Sequence, residues 1–121
     1  MSLADYKQLD VWSKAMALAE GVYVAAERMP KREEYRLTAQ MIRAAISVPA
    51  NIAEGHTRAT RKDYAHFVSI ARGSAAELET LLLLGQRTKL LPNELALELL
   101  ASVSDVSRML NRLHARLREP T

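Results

Sequence analysis

Residues 47–55 read SVPANIAEG, and they interrupt a pattern that is otherwise helical. Upstream, YRLTAQMIRAAI (residues 35–46) places Leu37, Met41, Ala44 and Ala45 at the three-four spacing of a helix seam, which Val48 continues. Pro49 then removes an N–H, so the carbonyl of Ala45 loses its helical donor and the ring crowds that turn. A helix runs on past such a break when neighbours satisfy the freed group. Asn51 carries both a donor and an acceptor on a short side chain and suits that task. Gly55 reads as the residue that ends the helix with a left-handed backbone. The stretch is therefore expected to be the kinked, capped end of a second helix.

Glu54 asks for more. It falls in the last turn, where the helix dipole disfavours a negative charge, so a cation should compensate it. Arg43, Arg58 and Arg72 are in reach, and a buried pair with Arg43 or Arg72 is the leading expectation. A matching tension occurs in ARGSAAELE (residues 71–79). Gly73 and Ser74 are poor helix formers in mid-helix and suggest a close backbone neighbour, while Glu77 falls between seam residues. The economical account joins Pro49, Asn51, Glu54, Gly55, Gly73, Ser74 and Glu77 into a polar clamp between two helices.

Outward from this point, the 121 residues make one domain, 1–121, with room for a single core. Pro30, Gly55 and Pro92 punctuate four periodic segments, and no segment sustains the period-two alternation of a strand. The first, from about Asp10 to Arg28, carries Trp12, Ala15, Met16, Ala19, Val22, Tyr23 and Ala26 on its seam, with Asp5 or Asp10 as cap. The second begins near Glu33. The third follows Thr60, an N-cap with Asp63 at the capping-box position, and runs to about Lys89. Its seam is Tyr64, Phe67, Val68, Ala71, Ala75, Leu78 and Leu82. The fourth opens at Pro92 and buries Ala96, Leu99, Val103, Val106, Leu110, Leu113 and Leu117. Short links between long amphipathic helices predict an all-α, antiparallel up-down-up-down four-helix bundle.

Leu81, Leu82, Leu83 and Leu84 cover the whole circumference of the third helix, and Leu95, Leu97 and Leu100 add a surplus on the fourth. Either these are a wide core stripe with scattered surface leucines, or they form a subunit interface. The interface is the favoured expectation. Cysteine is absent, which fits a reducing cytoplasm. No apolar run reaches the ~20 residues of a membrane span, and MSLADYKQLDVW lacks the features of a signal peptide.

The stretches LDVWSKAMALAEGVY, SVPANIAEG and DYAHFVSIARGSAAELETLL resemble the small four-helix-bundle proteins encoded in bacterial 23S rRNA intervening sequences. They are also similar to the accessory protein of diversity-generating retroelements. The resemblance covers nearly the whole chain. It implies a four-helix bundle that assembles as a ring-forming homopentamer, and a role linked to RNA or DNA and to a polymerase-like protein.

Catalysis finds little support in the residues. His56, His66 and His114 fall on different segments, and Asp63 with His66 is one imperfect copy of the paired Glu-x-x-His motif of a di-metal bundle. Glu54 and Glu77 are an acid/base pair in principle, yet no nucleophile or phosphate-cradling loop accompanies them. A non-enzymatic protein without metal or cofactor is expected. The net charge is +3, and the placement of the cations is more informative than their sum. Arg108, Arg112 and Arg116 form one ridge at i, i+4 and i+8. Arg58, Arg61 and Lys62 stand at the entrance to the third helix, where backbone N–H groups also favour anions. A third set, Arg28, Lys31, Arg32 and Arg36, is diluted by Glu27, Glu33 and Glu34. Each set is an ordinary solvated helix face or a phosphate-binding patch, which an oligomer would multiply. With few exposed aromatics evident, binding should not depend on base stacking or sequence. Two function classes stand: a nucleic-acid-binding oligomer, and a scaffold that docks a protein such as a polymerase.

Overall fold

A computed structural model describes residues 5–120. Residues 1–4 and 121 of the expected domain lie outside the described residues. Four helices account for most of the chain: α1 (Asp10–Ala26), α2 (Leu37–His56), α3 (Arg61–Arg87) and α4 (Asn93–Leu117). Two short 3-10 turns, Tyr6–Gln8 and Lys31–Glu33, precede α1 and α2, and there is no strand among the described residues. α2 packs most extensively against α3, then α3 against α4, α1 against α2, and α1 against α4. All four helices feed one apolar core, whose fully buried larger members include Leu18, Met41, Ile52, Leu78, Leu82 and Leu110.

Local signals explain the helix ends. Thr60 has extended backbone, and its hydroxyl accepts the Asp63 N–H at 3.1 Å, so α3 starts where its cap demands. Pro92 stands one residue before α4, at the N-cap. Asp5 caps the Tyr6–Gln8 turn by accepting from the Lys7 N–H, whereas α1 begins behind Leu9 without any side-chain cap. Among the described residues, the left-handed position is Lys89, at φ 61°, just after α3.

Two expectations change on the structure, the seam of α1 and the role of Gly55. The buried face of α1 is Val11, Ala15, Leu18, Ala19, Val22 and Ala25, while Met16 and Tyr23 are exposed. Trp12 drew the expected seam one residue round the helix; it is only part-buried, edge-on to Tyr6. Gly55 is not a left-handed cap, because no described glycine has a positive φ and α2 continues through it to His56. On α3, Leu81 and Leu82 are buried, but Leu83 and Leu84 are exposed at 37% and 49%.

Candidate nucleic-acid interface

The junction of α2 and α3 is a seam of small side chains. Ala44, Ala45 and Val48 on α2, and Ala71, Ser74 and Ala75 on α3, are all buried. A side chain at Gly55 would place its Cβ 2.8 Å from Phe67 Cβ and 3.2 Å from the Tyr64 carbonyl oxygen. The glycine is there for that close approach of α3, and not for backbone freedom. α2 continues as helix past the buried Pro49. Asn51 does not turn to the Ala45 region; its Nδ2 donates to the Ser47 carbonyl at 2.8 Å and to the Ser47 hydroxyl at 2.9 Å. Ser47 then meets Ser74 of α3, hydroxyl to hydroxyl, at 2.7 Å.

The polar link between α2 and α3 is therefore Asn51–Ser47–Ser74, and Ser47 is the member that periodicity did not single out. The rest of the expected clamp lies elsewhere. Glu54 is exposed and pairs with Arg58 at 3.0 Å, four residues on, rather than with Arg43 or Arg72. Exposure removes the need for a buried partner, since water screens the dipole at the helix end. Gly73 has open space around it, and both Gly73 and Glu77 are exposed.

The cations sort into occupied and free. Arg58 is held by Glu54 and lies over the Phe67 ring at 4.5 Å, a cation–π arrangement. Arg108 is held by Asp105 and by the Ser104 hydroxyl. Arg36 pairs with the buried Glu33. Among the described residues, no carboxylate lies within ion-pair distance of Arg61, Lys62, Arg72, Arg112, Arg116 or Arg118.

These six lie toward one end of α3 and α4, while Lys14, Arg28, Lys31, Arg32, Arg43, Arg87 and Lys89, equally without an ion pair, lie elsewhere. Arg61 donates to the Arg116 backbone carbonyl at 2.6 Å, so the α3 entrance and the α4 exit are tied together. Spacing along the chain gives no hint of that tie, because the two residues are 55 apart. An open hollow of about 630 Å³ lies there, lined among others by Arg61, Lys62, His66, His114 and Arg118, with Glu119 at its rim. A second hollow of about 400 Å³ continues it along the same two helices, sharing Ser69 and adding Arg72, Gly73 and Asn111. Arg72 spans this groove, donating from Nε to Asn111 Oδ1 at 2.9 Å and lying 3.2 Å from His114 Nδ1. Arg112 and Arg116 turn the other way, toward Leu9, Asp10 and Val11 at the start of α1. Of the α4 ridge, Arg112 and Arg116 thus share one groove on the α1 side, while Arg108 is held by Asp105 and lines neither groove. Partial burial, then the charges of Arg72 and Arg118, lower the His114 pKa below its ordinary value of 6.5.

Sequence reading missed Arg72 and His114 as groove residues because each has a bland local context; only the α3–α4 packing unites them. It also missed Tyr35, which stands 88% exposed beside Arg36 in the link before α2. Among the described residues, no group of three or more His, Cys, Asp or Glu side chains is arranged to hold a metal. No described helix is long and apolar enough to cross a membrane.

Residues 7–112 match the model of a family described as 23S rRNA-intervening sequence protein. Among solved structures, the chain is similar to a protein of unknown function from the S23 ribosomal protein family of Bacteroides thetaiotaomicron. The two share 22% sequence identity with a TM-score of 0.80, over 90% of this chain and 99% of that one. No curated protein matches the chain.

Proposed function

The chain belongs to the 23S rRNA-intervening sequence protein family, and from that premise we propose that it is a non-enzymatic, cytoplasmic protein that binds the phosphate backbone of RNA or DNA. The observation that carries this reading is the cluster of unpaired cations where Arg61 bonds the Arg116 carbonyl. Arg61, Lys62 and Arg118 stand on one side of that tie, Arg112 and Arg116 on the other. Guanidinium groups without carboxylate partners are ready donors for phosphate oxygens. Binding of this kind is tolerant of sequence, because phosphates carry no base information.

The helices run up-down-up-down in this reading, and the bundle assembles as a homo-oligomeric ring, a pentamer by resemblance to the family. Exposed Leu83, Leu84 and Leu97 support a subunit interface, since side chains of that size gain from leaving water. A ring repeats the cationic end in every subunit, so modest phosphate contacts add in free energy. The same exposed leucines favour a second reading, a scaffold that docks a protein such as a polymerase.

Filter binding of unrelated RNA and DNA oligonucleotides across a salt series separates the two. Each phosphate neutralised adds a slope of about −0.9 in log K against log salt for duplex DNA and about −0.7 for single strands. Replacing Arg61, Lys62 and Arg118 by Gln should flatten the slope and weaken all sequences about equally. A wild type that binds no nucleic acid at low salt refutes the reading and leaves the scaffold. Light scattering tests the ring, which a monodisperse monomer at micromolar concentration would exclude.

A further inference from the structure

The groove between α3 and α4 holds a hydrogen bond with a built-in conflict. Arg72 is a permanent cation and only a donor. Its NH1 lies 3.2 Å from His114 Nδ1, so that nitrogen must accept, and His114 must be neutral with its proton on Nε2. Protonation of Nδ1 would set two donors and two positive charges face to face. The other titratable groups around the groove are Arg61, Lys62 and His66 from α3 and Arg118 after α4, against the single carboxylate of Glu119. No residue of α1 or α2 lines either hollow.

An anion resolves that conflict. A phosphodiester oxygen seated between Arg72 and His114 accepts from both, and Asn111 is released from Arg72 to serve as a further polar contact. We propose that the α3–α4 groove is a phosphodiester-binding site in which the anion replaces the Arg72–His114 hydrogen bond and His114 takes up a proton. The inference rests on the nucleic-acid reading and adds to it a location and a proton linkage. Neither Arg72 nor His114 belongs to the basic sets that composition and spacing reveal. The lowered pKa of the free protein agrees with the geometry: burial, Arg72 and Arg118 all disfavour protonated His114. Binding then strengthens as pH falls, because the ligand prefers the protonated form.

The test uses the full chain and a 15-nucleotide oligouridylate, whose phosphodiesters keep their charge between pH 5 and 8. A His66→Gln background isolates His114, and His114→Gln keeps an acceptor for Arg72 but never protonates. Ring-proton NMR should show the His114 pKa rising when the oligonucleotide is added. Affinity should increase about threefold to fivefold from pH 7.5 to 5.5 in the parent. The His114→Gln variant should change by less than about twofold over that range, and Arg72→Gln should weaken binding at both pH values. If oligouridylate binds while the His114 resonances and pKa stay put, or if His114→Gln keeps the full pH dependence, the groove is not the site and the nucleic-acid reading survives. If the parent binds no oligouridylate at either pH, both fall together.

Discussion

α3 presents two unlike sides. Toward α2 it offers Ala71, Ser74 and Ala75, all buried, and meets Gly55 at a distance that leaves no room for a methyl group. Leu78 and Leu82 carry its buried face further along the helix, whereas beside α4 it borders an open groove with Arg72 stretched across it. Close packing is felt by every added or removed carbon, so the α2–α3 side sets stability. The open side has room for a ligand and costs little when altered. A bundle built this way separates what holds it together from what it presents to solvent.

The largest effect should come from filling the tight side. Gly55→Val puts a branched side chain against Phe67 Cβ and the Tyr64 carbonyl, neither of which is the free end of a flexible chain. Overpacking of that kind costs roughly 1–3 kcal/mol, and the upper end is expected because two helix backbones must separate. Denaturant melts of wild type and variant measure it. A variant as stable as wild type would mean that α2 and α3 are not in close contact here, which erases the contrast.

Ser74→Ala comes next, at about 1 kcal/mol for one lost hydrogen bond. The loss is moderate because the Ser47 hydroxyl keeps its bond from Asn51 Nδ2 at 2.9 Å. Ser47→Ala removes both partners at once and should cost more than Ser74→Ala in the same melts.

Gly73→Ala probes the open side, one residue from Ser74. A Cβ there meets nothing within 4 Å, so only helix propensity acts, and the variant should gain about 0.8–1 kcal/mol. Two glycines, one read from sequence as a left-handed cap and the other as a close backbone contact, thus have opposite signs. Glu54→Ala should cost only about 0.5 kcal/mol, the ordinary size for an exposed i,i+4 pair. A loss of several kcal/mol would restore the buried pair that the structure replaces.

These pairs also show what was legible beforehand. The four helices, the Thr60 cap and the seams of α2, α3 and α4 follow from short-range pattern, because periodicity and capping are local physics. The seam of α1 slipped by one position since Trp12 weighs heavily in any apolar pattern yet is too large to bury at that angle. Gly55 and Gly73 have the same residue type in similar local settings, and only the position of α3 relative to α2 distinguishes them. Arg72 and His114 are 42 residues apart. Their meeting depends on how α3 and α4 align, which no local rule specifies. Charge spacing on α4 found a ridge, but not that Asp105 occupies its first member.

The smallest effect expected is on stability against pH, and it bears on the open side alone. His114 has a folded pKa below 6.5, lowered first by burial and then by Arg72 and Arg118. Between that lowered value and 6.5 the unfolded chain binds more protons than the folded one, so folding stability must fall as pH drops through the window. Above 6.5 both states are neutral at this residue, and below the folded value both are charged, so the contribution is flat at either end. Partial exposure keeps it small: the melting temperature should shift by less than the roughly 4 °C that 1 kcal/mol is worth in a domain near this size. Thermal melts from pH 7.5 down to 5 should show a shallower decline for His114→Gln than for wild type. The difference should shrink but persist when Arg72 is also replaced by Gln, because burial, the largest cause, and Arg118 still act on His114. If wild type and His114→Gln decline in parallel, the Arg72–His114 contact carries no charge conflict, and the open side loses the feature that sets it apart from the tight one.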